Sequence, residues 1–443
     1  MIGQLAGFFT HVVRRWLPDA FLFAAILTFV VFGFGMVFQS QSPVSMVKYW
    51  GEGFWKLLAF AMQMILVLIT GHTLAKTKTV ESILKAIASY ASTANQAIVL
   101  ITIVSLLACW INWGFGLIVG ALLARELARN IKGIPYGLLV ASAYTGFLVW
   151  HAGLSGSIPL KIVEPTGFMS EVAGGIAIPV TETIFAWQNI FIVVALLVSL
   201  PLINMMMMPA KKDIVEVDPS LLRDEVIPEI NEEDMTPADK MENSMVISML
   251  LGALGFAYIV YYFSTGGKVG LNSVNLIFLF AGIVLHKTPA NFLRAINEAI
   301  RNTGGIALQF PLYAGIMGMM VHSGLAASIS QWFVEVSTVT TFPLFSFLSA
   351  GLVNFFVPSG GGQWAVQGPI VMPAAADLGV NLSRAAMSVA WGDAWTNMVQ
   401  PFWALPLLGI AGLSIRDIMG YCVVALLWSG IVISLSLVLL PWA

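Results

Sequence analysis

The chain reads as an all-α polytopic membrane protein: two inverted repeats with two opposed re-entrant hairpins and about nine spanning helices. Three features carry that reading. Of 443 residues, 58% are hydrophobic and only 10% charged, so the chain lacks the charged surface that soluble domains need. Apolar stretches long enough to cross roughly 30 Å of hydrocarbon recur from Ala20 to Trp442. Finally, one such stretch in each half is interrupted by an Asn followed by glycines, and paired interruptions in the two halves point to a carrier's binding site.

At the N-terminus, Arg14-Arg15 precedes an apolar run that starts at Ala20, with no small-residue cleavage pattern after Phe38-Gln39-Ser40, so a retained first helix is expected. A helical window then places spans near 20–39, 54–75, 135–160, 183–208, 244–264, 272–287, 304–322, 384–412 and 418–441. Residues 97–128 and 343–378 do not fit, because each is too long for one crossing and breaks in its middle. The breaks are Asn112-Trp113-Gly114-Phe115-Gly116 and Pro358-Ser359-Gly360-Gly361-Gly362. Backbone freed at membrane depth must be buried in protein or face a watery cavity, which makes both segments re-entrant hairpins. Charge supports this. With the N-terminus cytoplasmic and both hairpins returning to their side of entry, all but five of the 21 Lys and Arg residues fall inside, the exceptions being Lys48, Lys56, Lys161, Lys268 and Arg384. A single crossing by 97–128 would move Arg125, Arg129 and Lys132 outside and invert every later loop.

Internal similarity sets the domains. Gly71-His72-Thr73-Leu74-Ala75 has a counterpart in His322-Ser323-Gly324-Leu325-Ala326, and each is followed by an amphipathic stretch, a hairpin and a polar-interrupted helix. The first repeat, 1–208, has a cytoplasm-facing hairpin, and the second, 265–443, an outward-facing one. Between them lie a polar cytoplasmic linker, 209–243, and an additional span, 244–264, whose odd crossing inverts the second repeat. Its acidic run at 229–234 is a solvated connector without the spacing of a calcium loop. Opposed hairpins in inverted repeats are the architecture of alternating access.

A hairpin tip presents unpaired N–H groups and the positive end of a half-helix, which together receive an anion. The candidate substrate contacts are Ser359, Gly360, Gly361, Gly362 and Gln363 in the second hairpin and Asn112, Gly114 and Gly116 in the first. His151 and Ser155 join them from the interrupted helix Trp150–Pro159. No Lys or Arg lies deep in a span, which favours one carboxylate on a short apolar tail over a dicarboxylate or phosphate. Trp110, Trp113, Trp364, Trp391, Trp395 and Phe402 could line such a pocket, although most aromatics at these spacings pack helices. Asp393 is the one acid near a span centre, where an ionisable group is costly and points to function. With Asn354, Thr396 and Asn397 it is the candidate ion-coupling group, for Na⁺ or a proton; no other metal or cofactor is expected. His72 and His322 are expected as interfacial or capping groups, His11 and His286 at the surface, and Cys109 and Cys422 as packing residues. The near-balance of 21 basic and 23 acidic residues leaves no stripe for nucleic acid. No nucleophile–base pair lies at one depth, so an enzyme is not expected.

Asn112-Trp113-Gly114-Phe115-Gly116, Val357-Pro358-Ser359-Gly360-Gly361-Gly362, Gln400-Pro401-Phe402-Trp403-Ala404-Leu405-Pro406 and Arg416-Asp417-Ile418-Met419-Gly420-Tyr421-Cys422 resemble the AtoE short-chain fatty acid transporter family, over essentially the whole chain. The resemblance implies a bacterial inner (plasma) membrane carrier for short monocarboxylates such as butyrate or acetoacetate. It also implies membership of a wider superfamily of ion-coupled, usually homodimeric, elevator-type carriers. The alternatives are a passive channel for weak acids, which linear flux without exchange would reveal, or a carrier for a different small carboxylate.

Overall fold

The computed structural model describes residues 2–16, 20–163, 177–222, 235–267, 271–301, 303–358 and 360–442. All of its regular elements in these residues are helical. Five helices are long and apolar enough to cross a membrane: Ala94–Ile111, Tyr136–Lys161, Trp187–Met206, Met245–Ser264 and Ile415–Leu439. Shorter apolar helices, including Ala61–Ala75, Asn272–His286 and Phe342–Asn354, make up much of the rest. The expected span 304–322 continues past a 66° bend into Leu325–Glu335. Gly324 forms that corner at φ 85°, a left-handed conformation open to glycine because it lacks Cβ.

Polar punctuation explains why several expected spans appear as pieces. Asn112 adopts an extended conformation between Ala94–Ile111 and Trp113–Asn130, ending one helix and capping the next. The two arms then pack antiparallel, since Gly116 lies against Cys109 and Gly120 against Ser105. In the second half Phe342–Asn354 and Gly360–Leu378 run antiparallel as well, with Gln363 on Ala350 and Gln367 on Ser349. The expected span 135–160 contains Tyr136–Tyr144, a 3₁₀ segment Thr145–Ala152 and the short helix Ser157–Lys161. Likewise 384–412 divides at Asn397–Val399 into Leu382–Thr396 and Pro401–Ala411.

The broken pieces form the core and the uninterrupted helices surround it. Tyr136–Ala152 is almost entirely buried, as are the rings of Trp113, Trp364 and Trp391. Met245–Ser264 instead exposes Leu250, Leu254 and Val260 on a broad apolar face, the pattern of a lipid-facing helix. Small residues bring it close to its neighbour, Gly252 resting on Val284 and Gly255 on Phe280. In the linker, Pro237–Glu242 starts with a Thr236–Asp239 capping box, and the acidic run 229–234 lies outside the described residues.

Two histidines depart from their sequence expectation. His72 is fully buried rather than interfacial, because Pro289–Arg301 covers it and brings Glu298 Oε1 within 3.6 Å of its Nε2. His286 is not a free surface group, since its half-buried ring donates from Nε2 to the Thr73 carbonyl at 2.7 Å. His11 is exposed, and His322 is exposed beside Lys56, its Nε2 lying 2.9 Å from the Lys56 Nζ.

Candidate functional site

The first break is built around Asn112. Its Oδ1 accepts from the Phe115 N–H at 2.9 Å, a side-chain cap that satisfies one of the orphan donors of the new helix. The next donor, the Trp113 N–H, bonds Ser155 Oγ at 3.0 Å. The Leu154 N–H donates to the Trp110 carbonyl, and the Trp110 indole donates to the Ala152 carbonyl. Gly153 allows this lacing, because a Cβ there would collide with the Trp110 carbonyl. The hairpin tip and the interrupted helix of the first half are therefore one polar unit. Gly114 and Gly116 serve close backbone approach, the former to Val67 and the latter to Cys109.

A denser network fills the second break. Asn354, which ends its helix, donates from Nδ2 to the Asp393 carbonyl at 2.9 Å, to Thr396 Oγ1 at 2.9 Å and to Asn397 Oδ1 at 2.7 Å. Asn397 donates in turn to Asp393 Oδ1 at 3.3 Å, and Gln400 donates to the carbonyls of Asn354 and Phe355. Gln363 gives its Nε2 hydrogens to the Ala350 carbonyl at 2.8 Å and to Gln367 Oε1 at 2.7 Å. Every one of these side chains is buried.

His151 joins the two breaks. Its Nδ1 lies 3.0 Å from the Ala390 carbonyl and 3.4 Å from Asp393 Oδ1, while the Ile158 N–H points at Nε2 from 3.4 Å. A carbonyl only accepts and an amide N–H only donates, so the ring carries its hydrogen on Nδ1 and accepts at Nε2. Trp150 stacks on the imidazole with centroids 3.9 Å apart. The second hairpin reaches the same place, where a Cβ on Gly360 would lie 2.6 Å from His151 Nε2 and 3.1 Å from Ser157 Cβ. Tyr144 adds a bond from its hydroxyl to the Asn397 carbonyl at 2.6 Å.

The structure thus gathers His151, Ser155, Asn112, Gly360, Asn354, Asp393, Thr396 and Asn397 into connected buried networks. Gly362 and Gln363 are also buried, Gly361 is half-buried, and Ser359 lies outside the described residues. Of the six aromatic candidates, Trp110, Trp391 and Trp395 spend their indole N–H on protein oxygens and act in packing. Trp113 instead belongs to a cluster with Phe147, Trp150 and Trp403 at centroid distances of 5.3 to 6.4 Å. Trp150, Trp403, Gln367 and Gln400 were missed as candidates. A Gln in an apolar run beside a break was the available signal for the two glutamines.

Among the described residues, the polar atoms of the two breaks that lack a hydrogen-bond partner differ in kind. At the first they include the donors Asn112 Nδ2, Trp113 Nε1 and Trp150 Nε1; at the second, the acceptors Asn354 Oδ1, Gln363 Oε1, Asp393 Oδ2 and Gln400 Oε1. Each unpaired buried group costs about 1–3 kcal/mol, so these positions are suited to a ligand. Away from them, a cavity of about 720 Å³ sits between the N-terminal helix, Met206–Glu216 and Leu413–Tyr421. Asp213, Glu216 and Asp417 line it, so it is electrostatically unsuited to a carboxylate and contains no residue of either break.

Comparison with known proteins identifies the family. A profile of the short chain fatty acid transporter family matches residues 1–440. A relative from Escherichia coli (strain K12) is 50% identical over 441 residues, covering 99% of this chain and all of its own. Another, from Haemophilus influenzae, is 46% identical over 436 residues, covering 97% of this chain and 98% of its own. Both carry the designation "putative short-chain fatty acid transporter". The crystal structure of the Alcanivorax borkumensis YdaH transporter superposes with a TM-score of 0.48 at 14% identity, covering 95% of this chain and 97% of that one. The match to the family profile over the whole length, together with these relatives, places a multi-pass membrane protein that is not an enzyme: the chain belongs to the short-chain fatty acid transporter family.

Proposed function

We propose that the protein is a secondary transporter that moves a short monocarboxylate such as butyrate or acetoacetate by ion-coupled alternating access. It works as a homodimer in the cell inner membrane with its N-terminus cytoplasmic. The observation that carries this is the contact of His151 with Asp393, 3.4 Å apart and fully buried, which joins the interrupted helices of the two halves. Two inverted repeats with opposed re-entrant hairpins would bring their tips, Asn112–Gly116 and Ser359–Gln363, to opposite sides of one bound substrate. Carried past a fixed scaffold, as in an elevator, the tips would open in turn to either side.

The second break suits the coupling ion. Asp393 Oδ2 and Asn354 Oδ1 are left without a donor among the described residues, and Thr396 and Asn397 tie the two side chains into one network. Oxygen donors are what a hard cation takes. The same carboxylate could carry a proton, so Na⁺ and H⁺ both fit. Either would offset the charge of the carboxylate during its passage through the low-dielectric interior.

Counterflow of labelled butyrate in proteoliposomes tests the reading, with Na⁺ and pH gradients imposed separately. Saturable, trans-stimulated uptake is expected, with accumulation driven by one of the two gradients. Non-saturating flux without exchange would make the protein a passive channel.

A further inference from the structure

We propose that the carboxylate of the transported acid is received by three uncharged donors of the first half, Asn112 Nδ2, Trp113 Nε1 and Trp150 Nε1, rather than by the second hairpin. This deepens the transport reading and rests on it. The three residues are 0–1% exposed, and these nitrogens have no hydrogen-bond partner among the described residues. Their orientation is fixed: Asn112 Oδ1 is committed to the Phe115 N–H, so only the NH₂ remains, and an indole nitrogen can only donate. What such a place lacks is an acceptor.

The donors share one location. Asn112 and Trp113 are consecutive, and the Trp113 and Trp150 rings are 6.4 Å apart. They stand at the N-terminus of Trp113–Asn130, an 18-residue helix whose positive end favours an anion. Phe147 and Trp403 pack against both indoles, so the surroundings of the donors are apolar. The side chains of the second break offer the reverse polarity. Gln363 has spent its NH₂ on Ala350 and Gln367, and the NH₂ groups of Asn354 and Gln400 are likewise committed to protein oxygens. A carboxylate brought there would meet oxygens. Hydrogen bonds to a charged group are about twice as strong as neutral ones, enough for neutral donors to hold an anion without Lys or Arg.

Isothermal titration of the purified full-length protein in nanodiscs with butyrate and with its uncharged analogue butyramide tests the assignment. Trp113→Phe and Trp150→Phe keep a ring and remove the donor; each should weaken butyrate binding about tenfold and butyramide, whose neutral carbonyl is a weaker acceptor, by clearly less. Asn112→Asp keeps the oxygen that caps Phe115 and removes the donor, and should weaken butyrate more. Trp428→Phe, whose indole already bonds Ser199 Oγ, should change neither ligand. Unaltered butyrate affinity in both tryptophan variants overturns the proposal, as does an equal loss for butyrate and butyramide, which would signal packing alone. Failure of the parent protein to bind any short carboxylate would overturn the transport reading itself and the proposal with it.

Discussion

The two interrupted regions are built alike and finished in opposite ways. Each sets a helical hairpin with an Asn at its break against a helix with a polar gap, and each buries the result. Around Asn112 the unpaired groups of the break are N–H donors; around Asn354 they are oxygens. The difference arises from which atom of an amide the backbone claims. The Phe115 N–H takes the oxygen of Asn112, whereas the Asp393, Ala350 and Asn354 carbonyls take the nitrogens of Asn354, Gln363 and Gln400. One residue type therefore presents a free donor at one break and a free acceptor at the other.

Asp393→Asn is the harshest test of that division. It preserves shape and removes the only carboxylate of the second break, so gradient-driven butyrate accumulation in proteoliposomes should be abolished while butyrate binding persists. Undiminished accumulation would show that the second break does not carry the ion. His151→Ala acts on the seam between the regions. It deletes a buried ring stacked on Trp150 and strips Asp393 and the Ala390 carbonyl of a donor, costing about 2–5 kcal/mol, to be read as a lower thermal midpoint in detergent. Gly360→Ala pushes a methyl group against His151 and Ser157. Overpacking of this kind costs about 1–3 kcal/mol, and uptake should slow more than the midpoint falls, since the contact lies between the halves.

Glu298→Gln, outside both regions, should have the smallest effect. Burial alone would raise the Glu298 pKa, but hydrogen bonds and charge from His72 and Lys76 outweigh it and hold it at about 2, against an ordinary 4.5. The carboxylate is depressed on folding, so its contribution is complete above pH 4.5 and lost as pH falls towards about 2. Its side chain is 38% exposed, so solvent screening keeps the contribution small. Across that window the thermal midpoint of the parent should fall slightly more than that of the variant.

Much of this arrangement was legible. Asn112 followed by glycines predicts a break in an apolar run, and an acid far inside such a run predicts a functional group; both are local signals, whereas the helix cap that Asn112 provides emerged only in the structure. The partner of Asp393 was not legible, because His151 comes from the other half and only tertiary packing introduces them. Amide polarity was equally hidden, since the claiming carbonyls belong to other turns and other helices. His72 shows the same limit, as its burial depends on a helix more than 200 residues further along the chain.

The seam at His151 and Asp393 has a consequence for biogenesis. During synthesis the first half emerges with its imidazole facing a surface that does not yet exist, and the linker must be translated before Leu382–Thr396 can close over it. Neither half alone completes its interior. Severed within 209–243, the two fragments should be cleared by quality-control proteases when made singly and survive when made together, so that the cell counts them as one protein.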